Sequence, residues 1–594
     1  MMLRFRLVVA VCAVSNYQLP RGSPVTWNPN QFSSRHNRRN ATITCKNIPG
    51  DTNWPSNEEW SQLNETIGGQ LISTIPLAQV CHGQNFEAAA CADLRENWLL
   101  PYPHIRDPTS IITPYFQNHS CDPFAGEDTA CSLGNYPVYS INVTQAADVQ
   151  ATVHFAHERN IRLVIKNTGH DLLGKSIGLG SLSIWTHNLQ SIDYIEAYTT
   201  DASSYTGAAV RFGAGVLVHN ALTWADSIGV RVVAGTCPTV GVAGGYTAGG
   251  GHGLLTSIYG MAADSVLEWE VVLPSGELVT ATPHNDQADL YWALSGGGAG
   301  TFGVVISMTT RVYPDEPMVG ASFAFTTNDT KGGNVDGFWD AISIVQSSLG
   351  SLVDSGATAA YAFAAGIFSV YAVAMPGGDV SVLESSLAPV ISAAKDAGFQ
   401  LTVTKSVHTG FLDLYNTYLL QAVTTTPEAQ ITAGRIIPRS LMEDKSTASV
   451  VADAMRFASD QGFVTTCVAI NGTRKDLVDS CPNAVFPLWR EALLSCIFTQ
   501  TWDFSAPWGN MVDRQDILTN IVMPKVVAAT PGGGAYLNEA NFEENQWQDT
   551  FYGENYGRLR EIKRALDPDG ILYARTAVGS EEWIHDEQGR LCRT

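Results

Sequence analysis

The chain has 594 residues, 45% of them apolar and 15% charged, which is globular and too long for one ordinary core, so two or more domains are expected. Its 35 Lys+Arg stand against 57 Asp+Glu, a formal net charge of -22 that would repel phosphate backbones and excludes nucleic acid as a partner. No apolar run reaches the ~18 residues needed to span a bilayer, so no membrane partner is expected either.

At the N-terminus, Arg4 and Arg6 precede a short apolar run, Leu7 to Val14, and the small-residue pattern Ala13-x-Ser15. That order predicts a signal peptide over residues 1–15 and a secreted protein. Six N-x-[ST] sequons, at Asn40, Asn64, Asn118, Asn142, Asn328 and Asn471, agree with export and glycosylation. Residues 16–132 read as a loop-rich extension holding Cys45, Cys81, Cys91, Cys121 and Cys131, a cluster that suits disulfides. Cys467, Cys481 and Cys496 form a second group, Cys592 lies near the end, and spacing leaves the pairing open. With neither C-x-x-C nor H-E-x-x-H in the sequence, no metal site is expected.

Regular patterning begins near Val138. "VYSINV" predicts a strand, "AADVQATVHFAHERN" an amphipathic helix, and "IRLVIKN" a second strand. "SLSIWTH", "AAVRFGAGV" and "VLEWEVVLPSGELVTAT" predict further strands, while "LVHNALTWADSIG" and "DQADLYWALSG" predict helices. From 317 to 530 the chain is rich in Ala and Val, as alternating strands and helices would be. "GRLREIKRALDPDG" then predicts an amphipathic helix stopped by Pro568 and Gly570.

Three short motifs invite misreading. "NTGHDLLGKS" satisfies the phosphate-loop pattern G-x-x-x-x-G-K-[ST], and Gly174, Ser176 and Gly178 satisfy the G-x-S-x-G of hydrolase elbows. Both motifs need a helix next, and "IGLGSLSIWTH" follows instead, with two glycines and then strand alternation. The G-x-G-x-x-G from Gly298 to Gly303 follows a helix and precedes a strand, the reverse of a dinucleotide fingerprint.

The glycines have a better use. Eight of the nineteen residues from Gly235 to Gly253 are Gly, interrupted by Val240, Val242 and Tyr246 rather than strung as a linker. Three Gly-rich turns, "NTGHD", "GTCPTVGVAGG" and "GGGAGTFG", predict a cradle whose backbone N–H groups approach one large phosphate-bearing cofactor.

The words "IRLVIKNTGHDLLGKS", "GTCPTVGVAGGYTAGGGHGLLTSIYGMAADSV", "DLYWALSGGGAGTFGVV" and "YLNEANF…FYGENYGRLREIKRALDPDGILYA" make the resemblance specific. The chain resembles the berberine bridge enzyme-like oxidases of the vanillyl-alcohol oxidase/p-cresol methylhydroxylase superfamily, in particular their secreted fungal branch. The resemblance implies an α+β fold, with a two-part FAD-binding domain of the p-cresol methylhydroxylase type at 133–316 and 531–594. A substrate domain built on an antiparallel sheet is inserted at 317–530.

It also implies FAD attached twice, through His170 to the 8-alpha methyl and through Cys237 to carbon 6 of the ring. A neutral imidazole and a thiolate are the required nucleophiles, and a site rich in backbone N–H groups is expected to favour the thiolate. Cofactor contacts are expected from Lys166, Asn167, Thr168, Gly169, Asp171 and Ser176 in the first word, and from Gly235, Thr236, Val240, Gly241, Gly244, Gly245 and Gly249 in the second. Gly303 and Val304 are expected in the third, and Tyr536 and Asn538 in the last.

By the same resemblance, a small Val240 matches the pattern of relatives that use O2. Glu539 stands where sugar-oxidising relatives commonly carry a Tyr base, so the expected base is Glu539, its pKa raised by partial desolvation, or Tyr536. The implied reaction is hydride transfer from a sugar, alcohol or secondary metabolite to FAD, then reoxidation by O2 to H2O2. A flavin-fold enzyme of oxidative cyclisation, or a scaffold without net oxidation, is the alternative. Relatives often carry cysteines where this chain has Asn47 and Asn53, which puts one local disulfide in doubt.

Overall fold

Apolar positions recurring at helical spacing after Gln145, between two short alternating runs, fix the first unit of the fold. In the computed structural model, which describes residues 44–199, 205–329, 335–364, 366–399, 401–424, 426–473 and 482–594, a four-stranded sheet is built from β1 (Leu71–Ser73), β2 (Tyr139–Asn142), β3 (Leu163–Lys166) and β4 (Leu182–Trp185). Strand β4 lies between β2 and β3 and is parallel to both, while β1 pairs antiparallel with β2. Helix α1 (Ala146–Glu158) joins β2 to β3 and buries Val149, Thr152, Val153 and Ala156, one face at i, i+3, i+4 and i+7. It stops before Asn160, whose φ of 49° is left-handed. The signal segment, Cys12, Asn40 and Cys481 lie outside the described residues.

An antiparallel five-stranded sheet follows: β5 (Ile192–Tyr198), β6 (Gly207–Gly213), β7 (Val266–Val272), β8 (Leu278–Ala281) and β9 (Val304–Arg311), in the order β8-β7-β9-β6-β5. The Pro-Ser-Gly turn makes the β7–β8 hairpin. Gly276 is required there, since its φ is 83° and a Cβ would sit 2.2 Å from His154 Nε2 on α1. Helix α2 (Val218–Ser227) and helix α3 (Ala288–Leu294) fall where the patterning placed them.

The Ala- and Val-rich stretch forms a seven-stranded sheet, antiparallel at every pairing, with β10 (Met318–Thr326) and β11 (Thr358–Ala364) among its strands. Period-two alternation gives the sheet two buried faces. Val319, Ala321, Tyr361 and Phe363 face a core that includes helix Val335–Asp354, whereas Met318, Ala360 and Ala372 join the core of the Gly-rich domain. Small side chains on that second face bring the sheet close to the cradle. The sharpest instance is Gly434, where a Cβ would lie 2.3 Å from Glu539 O.

The C-terminal helix Tyr556–Leu566 returns to the cradle. Its buried Lys563 donates to Thr301 O at 2.6 Å and Leu572 O at 2.7 Å, and pairs with Asp567 at 2.7 Å. Strand Thr44–Cys45 pairs with Leu591–Arg593, and the disulfide Cys45–Cys592 locks them together. The other disulfides among the described residues are Cys81–Cys91, Cys121–Cys131 and Cys467–Cys496.

The N-terminal extension is more ordered than its loop-rich composition predicts. Helix Asn57–Thr66 starts with a capping box between Ser56 and Glu59, an S-x-x-E signature visible in the sequence. Asn47 Nδ2 donates to Asn53 O at 3.4 Å and to Arg159 O at 2.8 Å, so the two asparagines meet by a hydrogen bond where the resemblance implied a disulfide. No helix among the described residues is long and apolar enough to cross a membrane.

Candidate active site

The loop that leaves β3 at Lys166 cannot become a helix, because Asp171 ties it into a turn. The Asp171 carboxylate accepts from Leu173 N (3.1 Å), Ser176 N (2.7 Å) and Ser176 Oγ (2.7 Å). With its acid spent on its own loop, the segment closes one wall of a cavity of about 390 Å³. The second Gly-rich word supplies Cys237, Val240, Gly241, Gly244 and Gly245, and the third supplies Gly300 and Gly303. Tyr536, Asn538 and Glu539 come from the C-terminal segment, and Glu428 and Ile497 from the region of the seven-stranded sheet.

Several features of this wall fit a large ligand with polar groups. A Cβ at Gly245 would meet nothing within 4 Å, whereas one at Gly241 would lie 2.2 Å from Asn167 Oδ1. Asn167 Oδ1 and Tyr246 OH are buried with no hydrogen-bond partner in the protein, although Asn167 Nδ2 is held by Ala214 O (2.6 Å) and Thr186 Oγ1 (3.1 Å). Lys175 also lines the cavity, and burial lowers its pKa to about 8, partly opposed by Asp171. An FAD would find glycine backbone, an ammonium and unpaired polar atoms in one concave surface.

His170 and Cys237 converge there. His170 Nδ1 is 2.8 Å from Glu428 Oε2, and His170 Nε2 is 2.7 Å from Thr239 Oγ1. Cys237 Sγ donates to Glu428 Oε1 at 3.2 Å and lies 3.5 Å from Thr239 Oγ1. Among the described residues, Cys237 is the one cysteine without a disulfide. The expectation of a stabilised thiolate is not met. Burial pushes the Cys237 thiol well above its usual range, and the Glu428 carboxylate pushes it further, against a smaller opposing effect of Thr239.

A second group is built around Glu539, which also lines the cavity. Glu539, 29% exposed, places both carboxylate oxygens 3.3 Å from His252 Nε2. The His252 ring stacks on Trp489 at 5.4 Å and meets Tyr536 edge-on at 5.3 Å. Asn538 Nδ2 donates to Gly245 O and to Tyr536 OH, both at 2.7 Å, and Tyr536 OH donates in turn to Tyr246 O at 3.3 Å. Burial, then the nearby Glu539, hold the Tyr536 phenol protonated well beyond its usual range, so it acts as a donor rather than a base.

Five expected cofactor contacts do not line the cavity. Strand alternation points Ile165 toward it and Lys166 away, and Lys166 Nζ donates to His104 O (3.1 Å) and Asp107 O (2.8 Å), with burial lowering its pKa to about 7. Val304 is buried in β9 for the same reason, with Gly303 and Val305 on the wall. Gly235 backs onto Tyr246, Thr236 offers its carbonyl to Tyr415 OH (2.8 Å), and Gly249 gives room to Asn538, a Cβ there lying 2.4 Å from Asn538 Nδ2. Sequence reasoning missed Glu428, Thr239 and His252. Glu428 lies in "TTTPEAQ", where nothing separates it from the other acids of the chain, but Thr239 and His252 stand inside the Gly-rich word itself.

The family described as "FAD binding domain" matches residues 137–282, and that described as "Berberine and berberine like" matches residues 535–579. The VAO-type flavoprotein oxidase VAO615 of Thermothelomyces thermophilus is 43% identical over 559 residues, 93% of this chain and 96% of that protein. The bifunctional decalin synthase calF of Penicillium decumbens is 41% identical over 93% of this chain and 96% of its own length. Among solved structures, a VAO-type flavoprotein from Myceliophthora thermophila C1 superposes with a TM-score of 0.88 at 42% identity, covering 93% of this chain and all of that one.

Proposed function

The chain belongs to the berberine bridge enzyme-like, FAD-linked oxidoreductases of the vanillyl-alcohol oxidase family and has their α+β fold; from this premise we propose that it is a secreted oxidase carrying FAD on both His170 and Cys237. The observation that carries the reading is the convergence of His170 and Cys237 on one cavity, each in contact with Glu428 and Thr239. The flavin domain is assigned to 133–316 and 531–594 and the substrate domain to 317–530, an arrangement supported by the separate five- and seven-stranded sheets.

Bound FAD supplies a hydride acceptor that dioxygen regenerates with release of H2O2. The protein's part is to bind, orient and deprotonate. Glu539 takes the substrate proton, and His252 fixes its carboxylate from behind with a pair of 3.3 Å contacts. Tyr536 and Asn538 hold the turn that carries Glu539, whose amide donates to Tyr536 O at 2.9 Å. Val240, partly exposed on the cavity wall, would leave O2 room that a bulkier side chain at that position would fill. Export is supported by four disulfides and by the sequon at Asn118, whose side chain is exposed.

The substrate is a small organic molecule: a sugar, an alcohol or a secondary metabolite. Oxidative cyclisation is the second reading. It is favoured by the 41% identity to a protein named a bifunctional decalin synthase and by the apolar flank of Ile165, Leu172, Val305 and Ile497. Acid-precipitated wild type should stay yellow and exceed the polypeptide mass by one FAD. His170→Ala and Cys237→Ala should each retain one linkage, and the double variant none. Anaerobic screening for substrates that bleach the flavin separates oxidation from a scaffold role. Wild type that releases all its FAD on denaturation would remove the bicovalent assignment.

A further inference from the structure

Substrate oxidation, as assigned above, has no use for Glu428, yet the fold holds it firmly. Its amide donates to Leu99 O at 2.8 Å, and the next amide, of Ala429, donates to the same carbonyl at 3.4 Å. Trp502 N then anchors Ala429 O at 2.8 Å, which fixes the start of the following strand, Gln430–Pro438. The side chain is 18% exposed, and its two oxygens are divided between two partners. Oε2 meets His170 Nδ1 at 2.8 Å and Oε1 meets Cys237 Sγ at 3.2 Å.

The contact with sulfur is the informative one. A carboxylate placed only to orient His170 has no need of the thiol. Placed beside the thiol, it disfavours a standing thiolate, so electrostatics alone make Cys237 a poorer nucleophile. The arrangement becomes productive only if the carboxylate removes the proton as sulfur attacks. At His170 the same logic holds. Nδ1–H donates to the carboxylate, which leaves the Nε2 lone pair facing the Thr239 hydroxyl, and an imidazole that bonds to carbon becomes a cation whose remaining proton faces Glu428.

The geometry points to Glu428 as the shared proton acceptor for covalent attachment of the flavin at His170 and at Cys237, a role that rests on the bicovalent reading above. At sulfur, a C–S bond replaces the S–H bond and one ring C–H bond. At the imidazole, a C–N bond replaces an N–H bond and one methyl C–H bond. Each attachment therefore releases two protons and two electrons. One proton goes to Glu428 and on to water, which its partial exposure permits, and the proton from carbon goes to solvent. The electron pair passes through the flavin to dioxygen, the co-reactant, giving one H2O2 per bond formed. Glu428 returns its proton to solvent between the two events, so one carboxylate serves both.

The test uses full-length protein made under riboflavin limitation and then supplied with FAD in air. Covalent FAD is followed over time by acid precipitation, the linked residue is identified by peptide mass, and non-covalent binding is checked by quenching of flavin fluorescence. Glu428→Gln should bind FAD yet attach it on the order of 100-fold more slowly at both residues. Glu428→Ala should be equally slow and should regain attachment when formate is added, an effect that a purely structural role would not produce. Attachment at the wild-type rate in Glu428→Gln overturns the proposal, and so does slowing at His170 alone. If Glu428→Gln fails to bind FAD, the alanine variant decides, and no recovery with formate overturns the proposal. Wild type that never links FAD refutes the bicovalent reading itself, a different result.

Discussion

Acidification from pH 6.5 to pH 4 should cost about 3 kcal/mol of folding stability through one side chain, His104. It lies on the short helix Pro101–Arg106 and is 1% exposed. His104 Nε2 faces Trp98 O at 2.9 Å, so that nitrogen carries the hydrogen, and Nδ1 accepts from Ser110 Oγ at 2.7 Å. Both nitrogens are thus satisfied in the neutral ring, and burial is what disfavours the charged one. Burial lowers its pKa from 6.5 to about 4, outweighing the raising effect of Trp98 O, and nearby Lys166 and His170 lower it further. The folded-state value is the lower one, so the unfolded chain binds the proton first. Above pH 6.5 the ring is neutral in both states and contributes nothing. The penalty grows as pH falls from 6.5 toward 4 and is complete below it, and a gap of that size is worth about 3 kcal/mol. Urea unfolding followed by tryptophan fluorescence at pH 7 and pH 4 should show a smaller acid loss in His104→Gln than in wild type, by about that amount. Equal losses would mean that this imidazole is not what makes the segment acid-sensitive. The effect should reach the cavity, because a Cβ at Gly169 would lie only 2.9 Å from Ser110 O, so the two loops are in close contact.

Three further outcomes are expected. Glu539→Gln should slow flavin reduction in stopped flow by roughly a hundredfold while substrate binding persists; near wild-type rates would move the base elsewhere in the cavity. Val240→Leu should slow reoxidation of reduced flavin by O2 and leave the reductive half-reaction nearly unchanged, and equal reoxidation rates would remove the steric argument. Gly241→Ala drives a Cβ to 2.2 Å from Asn167 Oδ1, whose side chain is pinned by two hydrogen bonds, so the variant should lose about 1–3 kcal/mol in urea unfolding and carry less FAD. Full flavin content with an unchanged urea midpoint would show that the wall yields.

Three Gly-rich words were legible as a cradle because glycine density does not depend on the rest of the fold, and all three reach the cavity wall. Lys166 was misplaced for a reason the sequence already contained: in a strand, neighbours point to opposite faces, so Ile165 and Lys166 cannot both face the ligand. The helix at Asn57 was missed, because the Pro and Asn around it set the loop-rich reading of the whole extension and hid a capping box that the sequence carries. Glu428 belongs to a different class. It lies 191 positions from Cys237, and what selects it is the close approach of two sheets, which small residues such as Gly434 and Ala360 make possible. His252 looks like one more residue of a glycine loop until Glu539, 287 positions away, folds back against it.

Cys45 and Cys592 are 547 positions apart, and the bond between them turns the intervening chain into a covalent ring. A protease that cuts such a ring once releases nothing. His170 and Cys237 on one arc stay tethered to Glu428 and Glu539 on another, whichever loop is opened. A nicked molecule would run as two fragments only after reduction. A break engineered at an exposed turn would likewise give a two-chain protein whose parts stay joined by sulfur.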